Sequence, residues 1–342
     1  MTNRRTTSLT RFAWRATKIV AFAAATWFLA VPQLPLVWKS LPALASINVL
    51  LLILGIGCAF AALVAYAQLT RTLLDDGHRP GLWHSLGIVI SSLGVNRVMP
   101  AGAAAGSIVT FRLLARAGVG RRRAAFVMTT QSIGSALVLN ALLWVALLAV
   151  LPARGFAPSY LVAVGVGAAV FGSVGLVVDA LLHCRRWLWT FVAAIGRALP
   201  VVKSARLIDL LDDQSARMVG LAARRSTLRR AMGWAVANWL FDAAALWIFL
   251  RAFDVALNPV AVLVAFAFAN VASLLPITPG GLGVVELTMA AALAGFGAPS
   301  VPTALGVAAF RVFNYWSPIP AAGLAYLSIR NIHRTPVPVL DD

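Results

Sequence analysis

The sequence predicts an all-α polytopic membrane protein with about six spanning helices and two re-entrant helical hairpins arranged as an inverted repeat. Three observations carry this. Apolar residues make up 61% of the 342 residues and charged residues 12%, with a mean hydropathy of +0.86; soluble domains are roughly 45 to 50% apolar, counted with glycine in place of tyrosine. Two apolar stretches are broken by proline and glycine, at Pro100-Ala101-Gly102-Ala103-Ala104-Ala105-Gly106 and at Pro276-Ile277-Thr278-Pro279-Gly280-Gly281-Leu282-Gly283. Arginine also concentrates in alternate loops, as orientation in a membrane requires.

Taken in order, Arg4, Arg5, Arg11, Arg15 and Lys18 precede an apolar run from Ile19 to Val31. Trp27 and Phe28 near its end fit a cleavage site poorly, so it reads as an uncleaved first span rather than a signal peptide. Pro32, Pro35 and Pro42 mark an outer loop, and a second span covers Ile47 to Leu69. The polar Arg71 to Pro80 returns the chain inside. Leu82 to Met99 and Ser107 to Ala117 are each short for a crossing, and with Pro100 between them they read as a re-entrant hairpin. A third span covers Ala125 to Leu151, Pro152 to Pro158 form an outer loop, and a fourth span covers Tyr160 to Leu182. Residues 184–230 are polar and strongly basic, with Asp209, Asp212 and Asp213 interspersed, and read as a cytoplasmic loop carrying an amphipathic surface helix. A fifth span covers Ala231 to Leu250, a second hairpin turns at Pro279, and a sixth span runs from Thr303 to Ile329.

The whole chain, 1–342, thus reads as one integral membrane domain, with residues 45–151 as a first repeat and 231–329 as a second. The two breaks share one offset: 279 − 100 = 179, 281 − 102 = 179 and, for Gly118 and Gly297, 297 − 118 = 179. All but five of the 29 basic residues fall on one side of this topology; Lys39, Arg154 and Arg251 fall on the other, and Arg97 and Arg311 lie within membrane segments. Both termini are therefore expected in the cytoplasm, in a multi-pass protein of the cell membrane. The first hairpin then enters from inside and the second from outside, which inverts one unit relative to the other.

The formal charge of +18 fits positive-inside loops rather than a nucleic-acid surface. Cys58, Cys184 and the scattered His78, His84, His183 and His333 show no metal spacing, so no metal and no cofactor are expected. Inside the membrane segments the ionisable residues are Arg97, Asp242, Glu286 and Arg311, accompanied by Asn96, Gln131, Asn238, Asn270 and Asn314. Such residues are costly at depth and mark functional sites or locking pairs. Arg97 can clamp a phosphate bidentately or pair with Asp242. Asp242 can meet a cationic headgroup, pair with an arginine, or carry a proton. Glu286 and Arg311 can be a structural pair or part of a site. The candidate lipid-binding set is Arg97, Pro100, Gly102, Asp242, Pro279, Gly280, Gly281, Gly283, Glu286, Arg311, Asn314 and Tyr315, with the glycines expected to allow close backbone approach or a left-handed conformation.

Pro276, Thr278-Pro279-Gly280-Gly281-Leu282-Gly283 and Glu286, followed by Arg311, Tyr315-Trp316 and Pro318, resemble the lysylphosphatidylglycerol synthase/flippase transmembrane-domain family, in a form without the soluble aminoacyl-transferase domain. The resemblance implies a lipid-handling membrane domain and suggests an aminoacyl-phosphatidylglycerol as cargo. One departure bears on that cargo. Many relatives carry an arginine and an acidic residue after the first hairpin proline, whereas Pro100 to Gly106 is uncharged here, which is less suited to a lysyl headgroup.

Inverted repeats with broken helices point to alternating access at a midplane site. The expected function is a lipid flippase moving a polar-headed lipid, aminoacyl-phosphatidylglycerol-like or polyprenyl-phosphate-linked, with membrane lipids as partners, no nucleic acid, and no catalysis. A membrane scaffold or partner subunit is the alternative, though it would not need two broken hairpins. A membrane-bound transferase is the third reading, and it lacks an intramembrane histidine or carboxylate-pair site.

Overall fold

The structure is a computed structural model describing residues 48–74, 79–99, 102–154, 165, 172, 214, 216–218, 220–221, 223–273 and 281–332. The expected first span, the loop after it, nearly all of the fourth span and most of the basic loop lie outside the described residues, as do Pro100, Pro279 and Gly280. Among the described residues all regular structure is helical. The helices are α1 Val49–Leu73, α2 Leu82–Val98, α3 Gly102–Arg116, α4 Arg121–Arg154, α5 Arg225–Ala252, α6 Pro259–Ala272, α7 Val284–Gly295, α8 Ser300–Arg311 and α9 Pro318–Ile332. A π turn, Val312–Trp316, joins α8 to α9.

Length sorts these helices into two kinds. Val49–Leu73, Arg121–Val150 and Arg225–Ala252 are long and apolar enough to cross a membrane. The arms α2, α3, α6 and α7, of 17, 15, 14 and 12 residues, fall short of the roughly 20 needed. The expected sixth span is a composite of α8, the π turn and α9.

Helix ends repeat with the proline–glycine offset. Leu73 and Ala252 close α1 and α5, Arg116 and Gly295 close α3 and α7, and Arg121 and Ser300 open α4 and α8. Each pair is 179 residues apart, since 252 − 73, 295 − 116 and 300 − 121 agree. The turns inside these units match in detail. Gly118 and Gly297 adopt φ of +84° and +87°, a left-handed conformation that glycine takes without a Cβ penalty. The next amides, Val119 and Ala298, donate back to the Leu114 and Leu293 carbonyls at 3.0 and 3.1 Å, the Schellman closure of a helix end.

Packing is reciprocal between the units. The opening helices α1 and α5 lie against one another, α2 packs on α9, and α6 packs on α4. Each hairpin's first arm therefore rests on the closing helix of the other unit. Small residues permit these approaches, as expected where lipid gives helices no hydrophobic reason to associate. Gly55 of α1 lies under the Phe249 ring, where an added Cβ would come within 3.1 Å. Gly94 of α2 faces α9 so closely that a Cβ would overlap that of Ala322. The Asn238 amide donates to the Ala62 carbonyl at 3.0 Å and ties α5 to α1. Phe249, Phe266 and Phe310, all buried, pack edge to face between α5, α6 and α8, while Leu50, Ile53, Leu54, Val145 and Leu148 face outward as a lipid-facing belt would.

The two kinds of glycine should respond oppositely to the same change. Gly94→Ala forces α2 away from α9 and should cost about 1 to 3 kcal/mol. Gly57→Ala meets nothing within 4 Å and should stabilise α1 by roughly 0.5 to 1 kcal/mol. Thermal unfolding of the detergent-purified proteins reads both.

Candidate functional site

The site is assembled by two interruptions of helix. In the second hairpin, Gly281 and Gly283 take φ of +71° and +81° and α7 starts at once after Gly283. At Gly281 an added Cβ would also approach Val285 Cγ2 and Ser273 Cβ, at 3.0 and 3.1 Å. At Gly283 it would meet nothing within 4 Å, so the expectation of close backbone approach holds for Gly281 while Gly283 is required by conformation alone. Gly102 is different again. Its Cβ position is filled by the Asn96 carbonyl, so it closes the first hairpin on itself.

The second interruption is the π turn. Pro318 has no N–H for the Asn314 carbonyl, so the α-helical ladder cannot pass through it. The chain compensates with an i to i+5 bond from the Ser317 amide to the Val312 carbonyl at 2.8 Å. The Phe313 carbonyl, displaced from that amide, accepts instead from Ser317 Oγ at 2.6 Å. Widened turns of this kind are frequent at functional sites. Here the turn presents Asn314 and Tyr315 to α5 and α2.

Four ionisable residues converge on these interruptions. Arg311, at the end of α8, donates from Nε to Glu286 Oε1 at 2.6 Å, with side-chain exposures of 9% and 24%. The other Glu286 oxygen accepts the Gly283 amide at 2.8 Å, which caps α7 and places a carboxylate at the positive end of its dipole. Arg311 also lies over the Tyr315 ring, 4.4 Å from its centroid, and its Nη2 is buried with no partner. Arg97, at the end of α2, lies 5.2 Å from the same centroid on its own account. It donates from Nη1 to the Tyr315 carbonyl at 3.0 Å, and the Tyr315 hydroxyl donates to the Arg97 carbonyl at 3.0 Å. Asp242, midway along α5, accepts from Asn314 Nδ2 at 2.8 Å.

Arg97, Gly281, Gly283, Glu286, Asp242, Arg311, Asn314 and Tyr315 are thus brought together from five elements, whereas Gly102 belongs to the packing of the first hairpin. The alternative in which Arg97 bonds Asp242 is not what forms. Each takes a partner from the π turn, although their charges remain near enough to interact. Asn238 and Asn270 are absorbed by backbone carbonyls, at Ala62 and Phe266. Sequence reasoning missed the role of the Tyr315 backbone, for which Pro318 three residues on was the available signal.

Chemically, two guanidinium groups lie near one aromatic ring, and Arg311 keeps a buried donor in reserve beside its bond to the Glu286 carboxylate. Among the described residues no cluster of histidine, cysteine and carboxylate could hold an ion.

Fold and site together define a polytopic α-helical membrane protein with a polar site built from interrupted helices. The chain belongs to the family described as "Lysylphosphatidylglycerol synthase TM region", whose profile matches residues 16–322. It is also 24% identical over 174 residues to a "UPF0104 membrane protein" of Methanothermobacter thermautotrophicus, a match covering 47% of this chain and 52% of that protein. The chain spans about half the length of this curated relative. Family membership supports a membrane location and a lipid-related role.

Removing one partner of this partly buried ion pair leaves the other without its counterion, and a lone charge in an apolar setting costs about 2.5 to 3.5 kcal/mol on insertion scales. Glu286→Gln and Arg311→Gln should each lower the yield of monodisperse protein after extraction. The double variant should recover most of it. Size-exclusion chromatography at matched expression measures this.

Proposed function

We propose that the protein is a transporter that moves a lipid with an anionic, phosphate-bearing headgroup between leaflets of the cell membrane by alternating access, and that it is not an enzyme. The observation that carries this reading is the unpartnered Nη2 of Arg311, buried beside Arg97 and Tyr315 where two helices are interrupted. A buried donor without a partner is expensive, and a phosphate oxygen satisfies it with charge assistance. The Glu286 carboxylate bonds both Arg311 and the Gly283 amide and so occupies an anion position between loads. An incoming phosphate competes with it for the arginine and the helix terminus. The acyl or prenyl chains stay in lipid while the headgroup crosses.

The repeat supports the transport step. Shared helix ends, paired glycine turns and reciprocal packing of each hairpin on the other unit fit two units related by a pseudo-twofold axis. Short arms meeting at a break fit re-entrant hairpins. With both termini inside, one hairpin opens to each face, and rocking of the units exposes the site alternately.

Transport and stability should separate. In proteoliposomes with a leaflet-resolved lipid assay, Arg97→Gln should slow flipping by at least about tenfold, the loss expected for one charge-assisted bond. The Glu286→Gln/Arg311→Gln double variant should stay inactive even where its yield recovers; full transport in that double variant would remove the pair from the mechanism. Pro318→Ala restores the missing amide and should convert the π turn to α-helix. It would swing Asn314 and Tyr315 off Asp242 and Arg97, reducing flipping and, because two charges then lose their hydrogen bonds, lowering thermal stability.

The orientation is checked by single cysteines. One placed at Ala256 should react with an impermeant maleimide on intact cells, and one at Arg122 only after permeabilisation.

A further inference from the structure

A second polar space lies beside the first hairpin, apart from the ion cluster. It is a cavity of about 170 Å³ between α1, α2, α3 and α4, with Thr70, Ser92, Asn96, Thr110, Gln131 and Ser132 among its walls. No aspartate, glutamate, lysine, arginine or histidine contributes to it. Its hydroxyls are ordered by short bonds: Thr110 Oγ1 donates to Ser92 Oγ at 2.7 Å, and Ser92 Oγ to the Gly106 carbonyl at 2.9 Å.

One wall group is left unsatisfied. Gln131 is 6% exposed, and its Oε1 lies 3.0 Å from Thr70 Oγ1 while its Nε2 has no partner. Thr70 has a single hydroxyl proton, and its Oγ1 also lies 3.1 Å from the Tyr66 carbonyl. If the proton goes to Tyr66, the Gln131 amide turns over, its Nε2 donating to Thr70 and its Oε1 left bare. Either way one buried amide atom needs a ligand, as donor in one case and acceptor in the other. A hydroxyl group answers both.

We infer that this cavity takes an uncharged polyhydroxyl group, the sugar or glycerol part of the headgroup whose phosphate goes to Arg97 and Arg311; this rests on the transporter reading above. Three features select that chemistry. Set among the apolar Ile88, Val89, Leu93 and Met128, every polar side chain of the wall is a hydroxyl or an amide, which pairs with hydroxyls in either sense. It carries no charge, so an ammonium or aminoacyl group would be buried there without a counterion. Its volume slightly exceeds the roughly 150 Å³ that accepts a benzene-sized guest, which suits a group of six or a few more heavy atoms. Asn96 lines the cavity and the next residue on α2, Arg97, belongs to the ion cluster.

The test is binding to the detergent-purified full chain by titration calorimetry. The probes are farnesyl phosphate against farnesyl phosphoryl-glucose, phosphatidic acid against phosphatidylglycerol, and lysyl-phosphatidylglycerol. In at least one pair the polyol-bearing member should bind about tenfold more tightly, the effect of satisfying buried polar groups, and that pair identifies the polyol. Gln131→Leu should bring the ratio within twofold. Ser132→Leu, at an exposed position in the cavity wall, should do the same if Gln131→Leu fails to fold. Ratios near one in the unaltered protein, ratios untouched by both variants, or tighter binding of lysyl-phosphatidylglycerol than of phosphatidylglycerol would each overturn the polyol assignment while leaving phosphate recognition standing. Failure of every probe to bind would instead overturn the transporter reading.

Discussion

Backbone that leaves a helix inside lipid must find its hydrogen bonds in the protein, and meeting that requirement at Pro318 organises this molecule. Once the ladder is broken, Ser317 closes it twice, through its amide to Val312 and its hydroxyl to Phe313. The Tyr315 carbonyl takes the Arg97 guanidinium, and that contact docks the end of α2 onto the closing helix of the other unit. The same turn delivers Asn314 to Asp242 on α5. A single residue without an N–H thereby fastens α2, α5 and the composite span α8–α9 to one point. At the second hairpin, the left-handed Gly281 and Gly283 leave the start of α7 uncapped until Glu286 reaches back, and Glu286 in turn fixes Arg311. The charged cluster is the means by which two helix breaks are sealed.

The seal is incomplete, since Arg311 Nη2 is buried without a partner. Arg97 and Arg311 both lie near the Tyr315 ring, and two guanidiniums in one apolar neighbourhood repel unless anions lie between them. Glu286 supplies one such anion and is committed to a helix cap, whereas Asp242 is shared with Asn314 and does not bond either arginine. A protein built only to lock its helices would pair each arginine with a carboxylate. The spare donor on Arg311 is therefore hard to explain by packing and simple to explain by a visiting anion.

The all-helical, polytopic character of the chain is legible in its sequence, for a physical reason. Hydropathy marks spans because lipid penalises polar residues at every position, and proline and glycine mark breaks because their backbone preferences act locally. Gly118 and Gly297 were matched by offset alone and share the same left-handed turn. Helix ends were less accurately placed: the second span was expected to end at Leu69 and continues to Leu73, and the third was expected from Ala125 and begins at Arg121. Arginines extend apolar helices into the headgroup region, so hydropathy ends early. In the site, Glu286 with Arg311 was legible because charges in an apolar run have few partners. The choice of Tyr315 over Asp242 by Arg97 was not, since it depends on a backbone carbonyl in the π turn; Pro318 signals the break but not which side chain will meet it. Thr70, Ser92 and Thr110 were overlooked for a related reason. Single hydroxyls in spans ordinarily bond the carbonyl one turn back, and only the assembled fold shows that these share a wall.

The uncharged first break takes its meaning from the asymmetry between the units. Both units have a broken hairpin at the same offset, yet the second places Glu286 and Arg311 beside its break, while the first has Gly102 pressed on the Asn96 carbonyl and a hydroxyl-lined space behind it. If the two halves once presented equal surfaces to a headgroup, they have divided the labour, one side meeting charge and the other meeting hydroxyls. A headgroup with a phosphate at one end and a neutral polyol at the other would engage both hairpins together. That matters for alternating access, because a ligand contributes to the rocking of two units only through a difference in how it binds the two states. A phosphate held by Arg97 and Arg311 already touches α2 and α8, one from each unit. In the mechanism proposed above, the cavity would add a further contact on the first unit alone, so the load on the two units would differ in chemistry while it could remain balanced in strength.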